Sequence, residues 1–228
     1  MNIINIILSF IFPPRCALCG KIKYSLINKI CEKCLKDLPL TYSKPAFPMG
    51  EKHDGRNKVY FYSVISPFYY IDCVRTGILG LKFYGRRETA SFLGAYMADS
   101  ILNNAFYKDI DLILSVPASR QRQNKRGYNQ CYLIAKEIAK ILNIELHKNI
   151  LIRKKNASPQ SLAKNKNERK RNVLNAFEVL NSQAIEGKNI LLVDDVVTTG
   201  ATLNECAKIL KKNGANKVLC VTAAKGKN

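Results

Sequence analysis

Apolar and polar residues alternate along much of the chain with the two periods that distinguish strands from helices. Short apolar runs at residues 112–116, 190–193 and 217–222 are typical of buried strands, and residues 60–70 predict another strand that is interrupted at Pro67. Helical spacing of apolar residues is found at residues 74–84, 89–102, 129–142 and 203–212. This order predicts an α/β fold with a mainly parallel sheet flanked by helices, in which ligands bind outside the carboxyl ends of the strands.

The first part of the chain has a different character. Residues 13–48 contain short elements punctuated by proline and cysteine, and residues 49–58 are polar. We therefore predict two domains, a small N-terminal module at residues 1–50 and the α/β domain at residues 51–228.

The apolar stretch at residues 3–12 is too short to cross a bilayer, which takes about 20 residues. It also lacks the basic start and the small-residue cleavage site of a signal peptide. We expect no transmembrane segment and a cytoplasmic protein, with residues 3–12 forming a short amphipathic helix that packs on the rest of the chain. Loose association of this helix with a membrane is the alternative.

The composition is that of a folded protein with a strong positive charge. At 47% hydrophobic residues, the 228-residue chain can bury a sizeable core, which excludes intrinsic disorder. Lys and Arg number 37 against 17 Asp and Glu, a formal net charge of +20. This predicts an anionic partner, whether a nucleic acid, a membrane surface or a polyphosphorylated small molecule, although the abundance of Lys, Asn and Ile indicates that part of the charge follows from AT-rich coding.

Four of the eight cysteines form two CxxC pairs near the start of the chain. Cys16, Cys19, Cys31 and Cys34 can surround one zinc ion, since each CxxC turn presents two sulfurs to one point. The segment between the pairs is shorter than the usual about 15 to 20 residues, and four unligated buried cysteines are the alternative. No His, Asp or Glu is placed so as to form a site with an open coordination position, as catalytic zinc needs. We therefore predict a structural zinc ion. The other four cysteines are predicted to be small buried side chains, of which only Cys131 is a candidate for reactivity.

The sequence ILLVDDVVTTGATL at residues 190–203 is the most informative stretch of the chain. A buried strand is predicted to end at Asp194 and Asp195, whose carboxylates can accept hydrogen bonds from vicinal sugar hydroxyls. Small and hydroxyl-bearing residues then open a helix whose positive end favours a phosphate; these residues are Thr198, Thr199, Gly200, Ala201 and Thr202. Thr202 and Glu205 fit a capping box at the helix start. An ordinary strand-to-helix turn is the alternative, although neither a Walker motif nor GxGxxG is present.

This stretch resembles the phosphoribosyl pyrophosphate (PRPP) binding loop of type I phosphoribosyltransferases. The chain as a whole resembles the ComF/GntX family, in which a four-cysteine zinc module precedes such a domain. The motifs that carry the resemblance are FPPRCALC and CEKCLKDLP at the start, LKFYGRRE at 81–88, SVPASRQRQNKRGYNQ at 115–130, PQSLAKNKNERKRNVLNAF at 159–177 and LLVDDVVTTGATL at 191–203. The resemblance implies a type I phosphoribosyltransferase-like fold with a small zinc-ribbon-like module in front of it.

The resemblance also implies a role for several segments. Asp194 and Asp195 would contact the ribose hydroxyls of PRPP, and residues 198–202 would cradle its 5-phosphate. Residues 153–172 would form a mobile basic hood, and Mg²⁺ would bridge the pyrophosphate and ribose oxygens. A pyrophosphate loop, which often contains a non-proline cis peptide in such enzymes, would be formed by Val116, Pro117, Ala118 and Ser119.

Residues 115–130 contain Arg120, Arg122, Lys125 and Arg126 and no acid. Positive charge there can stabilise a departing pyrophosphate, and chemistry at the anomeric carbon needs this more than a protein nucleophile. The candidate catalytic residues are therefore the acidic pair and Arg126, which family resemblance singles out. No motif identifies an acceptor.

A non-catalytic role is the competing hypothesis. The resemblance points to competence and DNA uptake, with single-stranded DNA and a helicase-like ATPase as partners and the zinc module as a docking surface. The basic segments, with Tyr128 or Tyr132 as a stacking platform, fit a single-stranded nucleic acid. His53 and His147 stand alone in the sequence and are assigned no role.

Overall fold

A computed structural model describes residues 13–23, 29–41, 53–54, 57–154 and 175–227. The predicted N-terminal helix at residues 3–12 and residues 155–172 of the predicted basic hood lie outside this part of the chain. The four paired cysteines, the acidic pair and both predicted phosphate-binding loops lie within it.

The described residues contain every strand and helix that the hydrophobic pattern predicts outside residues 3–12. The helices are α1 (Glu32–Lys36), α2 (Asp72–Phe83), α3 (Glu88–Leu102), α4 (Arg120–Arg126), α5 (Gln130–Leu142) and α6 (Ala201–Lys212), with a 3-10 helix at Ala105–Tyr107. The strands are β1 (His53–Asp54), β2 (Asn57–Lys58), β3 (Ser63–Ile65), β4 (Phe68–Tyr69), β5 (Leu112–Ser115), β6 (Leu151–Arg153), β7 (Phe177–Val179), β8 (Asn189–Val197) and β9 (Lys217–Lys225). Helices α1 and α4, the 3-10 helix, and the β1–β2 and β6–β7 pairs were not predicted. Each helix in the described ranges is too short or too polar to cross a membrane.

One parallel sheet organises the α/β domain. Its strand order is β3–β9–β8–β5, and β4 continues the line of β3 beside β9. The register is the same on both sides of Pro67, with Ile65 opposite Val221 and Phe68 opposite Ala224. The interruption predicted at Pro67 is therefore confirmed, since proline has no N–H for the ladder.

Successive residues of the central strands face opposite sides of the sheet and fill two cores. In β8, Leu191 and Val193 belong to the core beneath α2, α3 and α5. Ile190 and Leu192 belong to the core beneath α6 and the β6–β7 pair. All four side chains are fully buried. Because both faces of the sheet are covered, its central strands have to be continuously apolar.

Strand β8 is longer than the apolar run that predicts it. The predicted end of the strand at Asp194 and Asp195 is wrong, because β9 also continues and its pairing carries β8 onward to Val197. Asp194 stays in register with Thr222, and Val197 with Lys225. The acidic pair therefore belongs to the last part of a strand, where backbone pairing determines its direction.

The four cysteines of the N-terminal module converge on one point. Their Sγ atoms lie within 4.8 Å of one another, and those of Cys19 and Cys31 are 3.9 Å apart. Four sulfurs at about 2.3 Å from a zinc ion would be separated by about 3.8 Å. The Cys31 backbone N–H also donates to Cys16 Sγ at 3.4 Å. This arrangement fits a structural zinc ion with four thiolate ligands and no open coordination position.

The N-terminal module packs on α2 and α3 and shares their core. Leu18 is fully buried and lies so close to Gly77 that a Cβ there would be 2.7 Å from Leu18 Cδ2. On α3, the Thr89 hydroxyl donates to the Ala17 carbonyl. The domain boundary near residue 50 stays a prediction.

Arg86 joins the module to α2 through its guanidinium. It donates to the Leu18 carbonyl at 2.9 Å and to the Thr76 carbonyl at 3.1 Å. A Cβ at Gly80 would lie 2.2 Å from Arg86 Nε, and a Cβ at Gly20 would lie 2.6 Å from Nη1. The two glycines therefore make room for a guanidinium that bridges both parts of the chain.

Replacing Arg86 by methionine should weaken the attachment of the N-terminal module. The carbonyls of Leu18 and Thr76 lose a charged donor, at a cost of about 1–2 kcal/mol, which lowers Tm by about 2–8 °C for a chain of this size. Calorimetric melting of Arg86→Met is compared with that of Arg75→Met, since Arg75 is an exposed arginine of α2, the helix that Arg86 joins to the module. Equal melting temperatures for the two variants would contradict the bridging role.

Removing zinc with a chelator should unfold the N-terminal module before the α/β domain. A piece of this size buries little apolar surface, and zinc binding supplies on the order of 10 kcal/mol to the folding of such modules. Trypsin digestion followed by mass spectrometry should show faster cleavage within residues 15–40 and unchanged cleavage within residues 129–142. Protection of residues 15–40 that survives chelation would rule the prediction out.

Candidate functional site

The loop between β8 and α6 forms a concave site at the carboxyl edge of the sheet. Thr198 and Thr199 are exposed there, and the Ala201 N–H donates to Thr199 Oγ1 at 3.4 Å. The loop leads into a helix of 12 residues, whose N-terminus favours an anion. The structure therefore brings the predicted phosphate-binding residues into one concavity, which is lined by Asp194, Val196, Val197, Thr198, Thr199, Gly200, Ala201, Thr202 and Leu203.

The start of α6 differs from the predicted capping box. The residue before the helix is Gly200, with φ of 73° and no side-chain cap, and glycine adopts this left-handed conformation without strain. The predicted pairing of Thr202 with Glu205 is wrong, because Glu205 is buried and its Oε1 accepts a hydrogen bond from the Asn175 N–H at 2.9 Å. Glu205 thus joins α6 to the segment before β7.

Each carboxylate of the acidic pair is anchored by one oxygen. Asp195 Oδ2 accepts a hydrogen bond from Gln130 Nε2 at 2.9 Å and forms an ion pair with Lys82 Nζ at 2.7 Å. Asp194 Oδ1 accepts from the Asp195 backbone N–H at 2.8 Å and from the Cys131 thiol at 3.2 Å. Among the described residues, Asp194 Oδ2 and Asp195 Oδ1 have no hydrogen-bond partner. These contacts orient both carboxylates, and the described residues leave one oxygen of each available as an acceptor.

The buried charges of the site perturb one another. Burial, and then the charge of Asp195, raise the pKa of Asp194 to about 7. Burial opposes the charged form of Lys82, but the attraction of Asp195 outweighs it and raises the pKa of Lys82. Lys82 is therefore positively charged at neutral pH and partly neutralises the acidic pair.

Lys82 and Gln130 are site residues that the sequence analysis missed. A signal for Lys82 exists, because it lies four residues after the fully buried Ile78 on the apolar face of α2. A charged residue on such a face needs a partner. Gln130, the first residue of α5, ends the motif quoted at 115–130, but its contact with Asp195 depends on where α5 meets β8.

Residues 116–119 leave β5 next to β8 and are held on two sides. The Val116 N–H donates to the Val193 carbonyl at 2.9 Å, and Asn129 Nδ2 donates to the Val116 carbonyl at 3.0 Å. Ser119 then caps the start of α4 with its side chain. Every peptide bond of the described residues is trans, so the cis peptide that the resemblance suggested for residues 116–119 does not occur there.

Arg126 reaches the acidic pair indirectly. It lies in the last turn of α4 and donates from Nη1 to Gln130 Oε1 at 2.7 Å, while Gln130 Nε2 donates to Asp195. Its guanidinium also lies 5.0 Å from the centre of the Phe83 ring. Arg126 is thus connected to Asp195 through Gln130, and a direct contact between the two is not present among the described residues.

Cys131 is buried and serves as a hydrogen-bond donor to the site. Burial, followed by the charges of Asp194 and Asp195, raises the pKa of Cys131 well above its usual value. Since the thiolate is the reactive form, Cys131 is not an activated nucleophile at neutral pH. Cys206 and Cys220 are also buried, as predicted, whereas Cys73 is half-buried.

Known families match both parts of the chain. A family model described as the phosphoribosyl transferase domain matches residues 129–228, and one described as the double zinc ribbon domain matches residues 7–46. The double zinc ribbon match and the converging cysteines agree on a structural zinc site.

Two curated relatives show the level of similarity. The chain is 33% identical over 141 residues to the DNA utilization protein YhgH of Escherichia coli K12. The aligned region covers 60% of this chain and 61% of the relative. It is 34% identical over 151 residues to the competence protein ComFC of Bacillus subtilis. Here the aligned region covers 65% of this chain and 58% of the relative. Each match therefore spans less than two thirds of the relative's own length.

Among solved structures, the glutamine PRPP amidotransferase of B. subtilis, complexed with ADP and GMP, is similar over 60% of this chain and 26% of that chain, with a TM-score of 0.42 and 17% identity. The matched domains and the curated relatives describe the chain more closely. It carries a phosphoribosyl transferase domain match behind a double zinc ribbon match, and it is similar to relatives named for DNA utilization and competence.

Proposed function

We propose that this protein binds PRPP, together with Mg²⁺, at the carboxyl edge of the sheet and retains the groups needed for phosphoribosyl transfer. The observation that carries the proposal is that Asp194 and the N-terminus of α6 line one concavity, with the oriented carboxylate of Asp195 on the neighbouring residue of β8. A ribose 5-phosphate has hydroxyl donors on its ring and an anion at the 5-position, so its two recognition elements match those of the site.

In this proposal, the 5-phosphate takes the backbone N–H groups of residues 198–202. The vicinal ribose hydroxyls donate to Asp194 Oδ2 and Asp195 Oδ1, the two oxygens without partners among the described residues. Mg²⁺, if bound together with PRPP, would neutralise part of the pyrophosphate charge. The carboxylates of the site suit such a hard cation, which prefers oxygen ligands.

Transfer to an acceptor breaks the bond between the anomeric carbon and the pyrophosphate, so the departing negative charge has to be stabilised. Residues 116–119 are the proposed pyrophosphate loop, and the basic helix α4 follows them directly. The cations of this helix support its role next to a leaving pyrophosphate; they are Arg120, Arg122, Lys125 and Arg126.

We further propose that the protein acts in DNA uptake in the cytoplasm, because the names of its relatives refer to DNA utilization and competence. Single-stranded DNA and a helicase-like ATPase would be its partners, with the zinc module as a docking surface. The net charge of +20 supports an anionic polymer as one partner.

A non-catalytic accessory module that binds DNA or a protein is the competing function. Helix α4 supports this function, because its cations suit the phosphates of a nucleic-acid backbone as well as they suit a pyrophosphate. The two predicted stacking platforms, Tyr128 and Tyr132, support this function less. The Arg87 guanidinium lies 4.8 Å from the centre of the Tyr128 ring, and Lys148 Nζ lies 5.4 Å from the centre of the Tyr132 ring.

Replacing both aspartates, Asp194→Asn with Asp195→Asn, should abolish Mg²⁺-dependent PRPP binding. Losing two charge-assisted hydrogen bonds at about 1.5–3 kcal/mol each weakens binding at least about 100-fold. Isothermal titration calorimetry with and without Mg²⁺ measures this loss. The matched control is Asp37→Asn with Asp109→Asn, which changes the net charge equally at two exposed positions.

The same variants distinguish the two functions. PRPP binding by the wild type and by the control, but not by the site variant, supports the first function. A wild type that binds single-stranded DNA but not PRPP, with DNA affinity unchanged in the site variant, supports the accessory module and rejects the PRPP site.

Asp194→Asn should stabilise the protein in the absence of PRPP and Mg²⁺. The pKa of Asp194 is raised from 3.8 to about 7 in the folded state, so the folded state binds its proton more tightly than the unfolded chain does and loses stability as the pH rises between these values. The gain in Tm of Asp194→Asn should be near zero at pH 4 and largest above pH 7. Thermal melting beside Asp109→Asn measures it, and a gain that is independent of pH would contradict a raised pKa.

A further inference from the structure

Helix α2 brings one lysine into the centre of the acidic site. The Lys82 side chain is 19% exposed and the Asp195 side chain 8% exposed, and their charged atoms are 2.7 Å apart. Lys82 lies in the last turn of α2, far from Asp195 along the chain, and none of the segments predicted to bind the ligand contains it. The ion pair is therefore a product of tertiary packing.

The packing of α2 does not explain why this position carries a charge. Val74, Ile78 and Leu81 are fully buried on the same helix, and a further apolar residue at position 82 would extend that face. Replacing a buried ion pair by apolar residues is often neutral or stabilising, since taking both charges out of water costs about as much as their attraction returns. A buried Lys82 is better explained by what it does to Asp195 than by stability.

Lys82 and Gln130 hold the same oxygen of Asp195. Both donate to Oδ2, at 2.7 and 2.9 Å, and Gln130 is itself held by Arg126, which donates to its Oε1 at 2.7 Å. Arg126 in turn lies over the ring of Phe83, the residue that follows Lys82. The contacts form a closed ring of which Oδ2 is a member, so the carboxylate cannot rotate without breaking one of them.

We propose that Lys82 is a positioning residue of the phosphoribosyl site: together with Gln130 it fixes Asp195 by Oδ2, so that Oδ1 is presented as the acceptor for a ribose hydroxyl. This inference rests on the proposed function. It assigns Lys82 no contact with the pyrophosphate, because both of its effects, orientation and charge, pass through the carboxylate. The positive charge also offsets the repulsion between two neighbouring carboxylates, which would otherwise favour a protonated site that donates instead of accepting.

The test compares PRPP and ribose 5-phosphate binding, by calorimetry with Mg²⁺, in Lys82→Met, Lys82→Arg and Asp195→Asn. Lys82→Met should lower the affinity for both ligands by the same factor, about tenfold or more, since both ligands carry the ribose hydroxyls. Lys82→Arg should restore affinity to within about threefold of the wild type, because it keeps the charged donor. Arg75→Met is the matched control, as it removes one positive charge from an exposed position of α2 and should leave both affinities unchanged.

A double-mutant cycle separates positioning from a general loss of structure. If Lys82 acts through Asp195, then Lys82→Met in the Asp195→Asn background should cause no further loss of affinity. Additive losses in the cycle would overturn the proposal, and so would a loss for PRPP that is absent for ribose 5-phosphate, since that would indicate contact with the pyrophosphate. Should Lys82→Met not fold, Gln130→Leu removes the other donor to Oδ2 and has to show the same loss and the same absence of additivity.

Ligand binding by the wild-type protein distinguishes a failure of the proposed function from a failure of the role of Lys82. A wild-type protein that binds neither PRPP nor ribose 5-phosphate overturns the proposed function, and the role of Lys82 with it. A wild type that binds both, with Lys82→Met indistinguishable from Arg75→Met, overturns the role of Lys82 alone.

Discussion

The parallel pairing of β8 with β9 is the constraint on which the fold and the site both depend. The register is constant from Asn189 opposite Lys217 to Val197 opposite Lys225. The apolar residues of β8 alternate between two covered faces as far as Val193, so a slip of one residue would move each of them into the wrong core. The same register determines where the strand leaves the core and where Asp194 and Asp195 emerge.

Helix α2 connects the N-terminal module with this edge of the sheet. Gly77 and Gly80 allow Leu18 and the Arg86 guanidinium to approach the helix more closely than any side chain would permit, and Lys82 reaches Asp195 from its last turn. The module also shares a core with α2 and α3. The zinc-binding part of the chain is thus packed against an element that carries a residue of the site.

The acidic site illustrates a conflict between stability and binding. Two neighbouring carboxylates that are largely removed from water oppose each other's ionisation, as the raised pKa of Asp194 indicates. Lys82 and Gln130, together with the Cys131 thiol and a backbone N–H, offset this cost through one oxygen of each carboxylate. Within the described part of the chain the other two oxygens have no partner, which is unfavourable for folding alone and is what a ligand with hydroxyl donors requires.

The sequence by itself determined the main strands and helices of the α/β domain, the four converging cysteines and the small-residue loop before α6. Each depends on a local pattern: hydrophobic period, CxxC spacing, or small residues between a strand and a helix. It misjudged the end of β8, whose length depends on β9, and the capping box, because Glu205 turns instead to Asn175. Only the tertiary structure decided that Lys82 and Gln130 meet at Asp195. Contacts between side chains far apart along the chain depend on how whole elements pack, and a local hydrophobic period does not predict that packing.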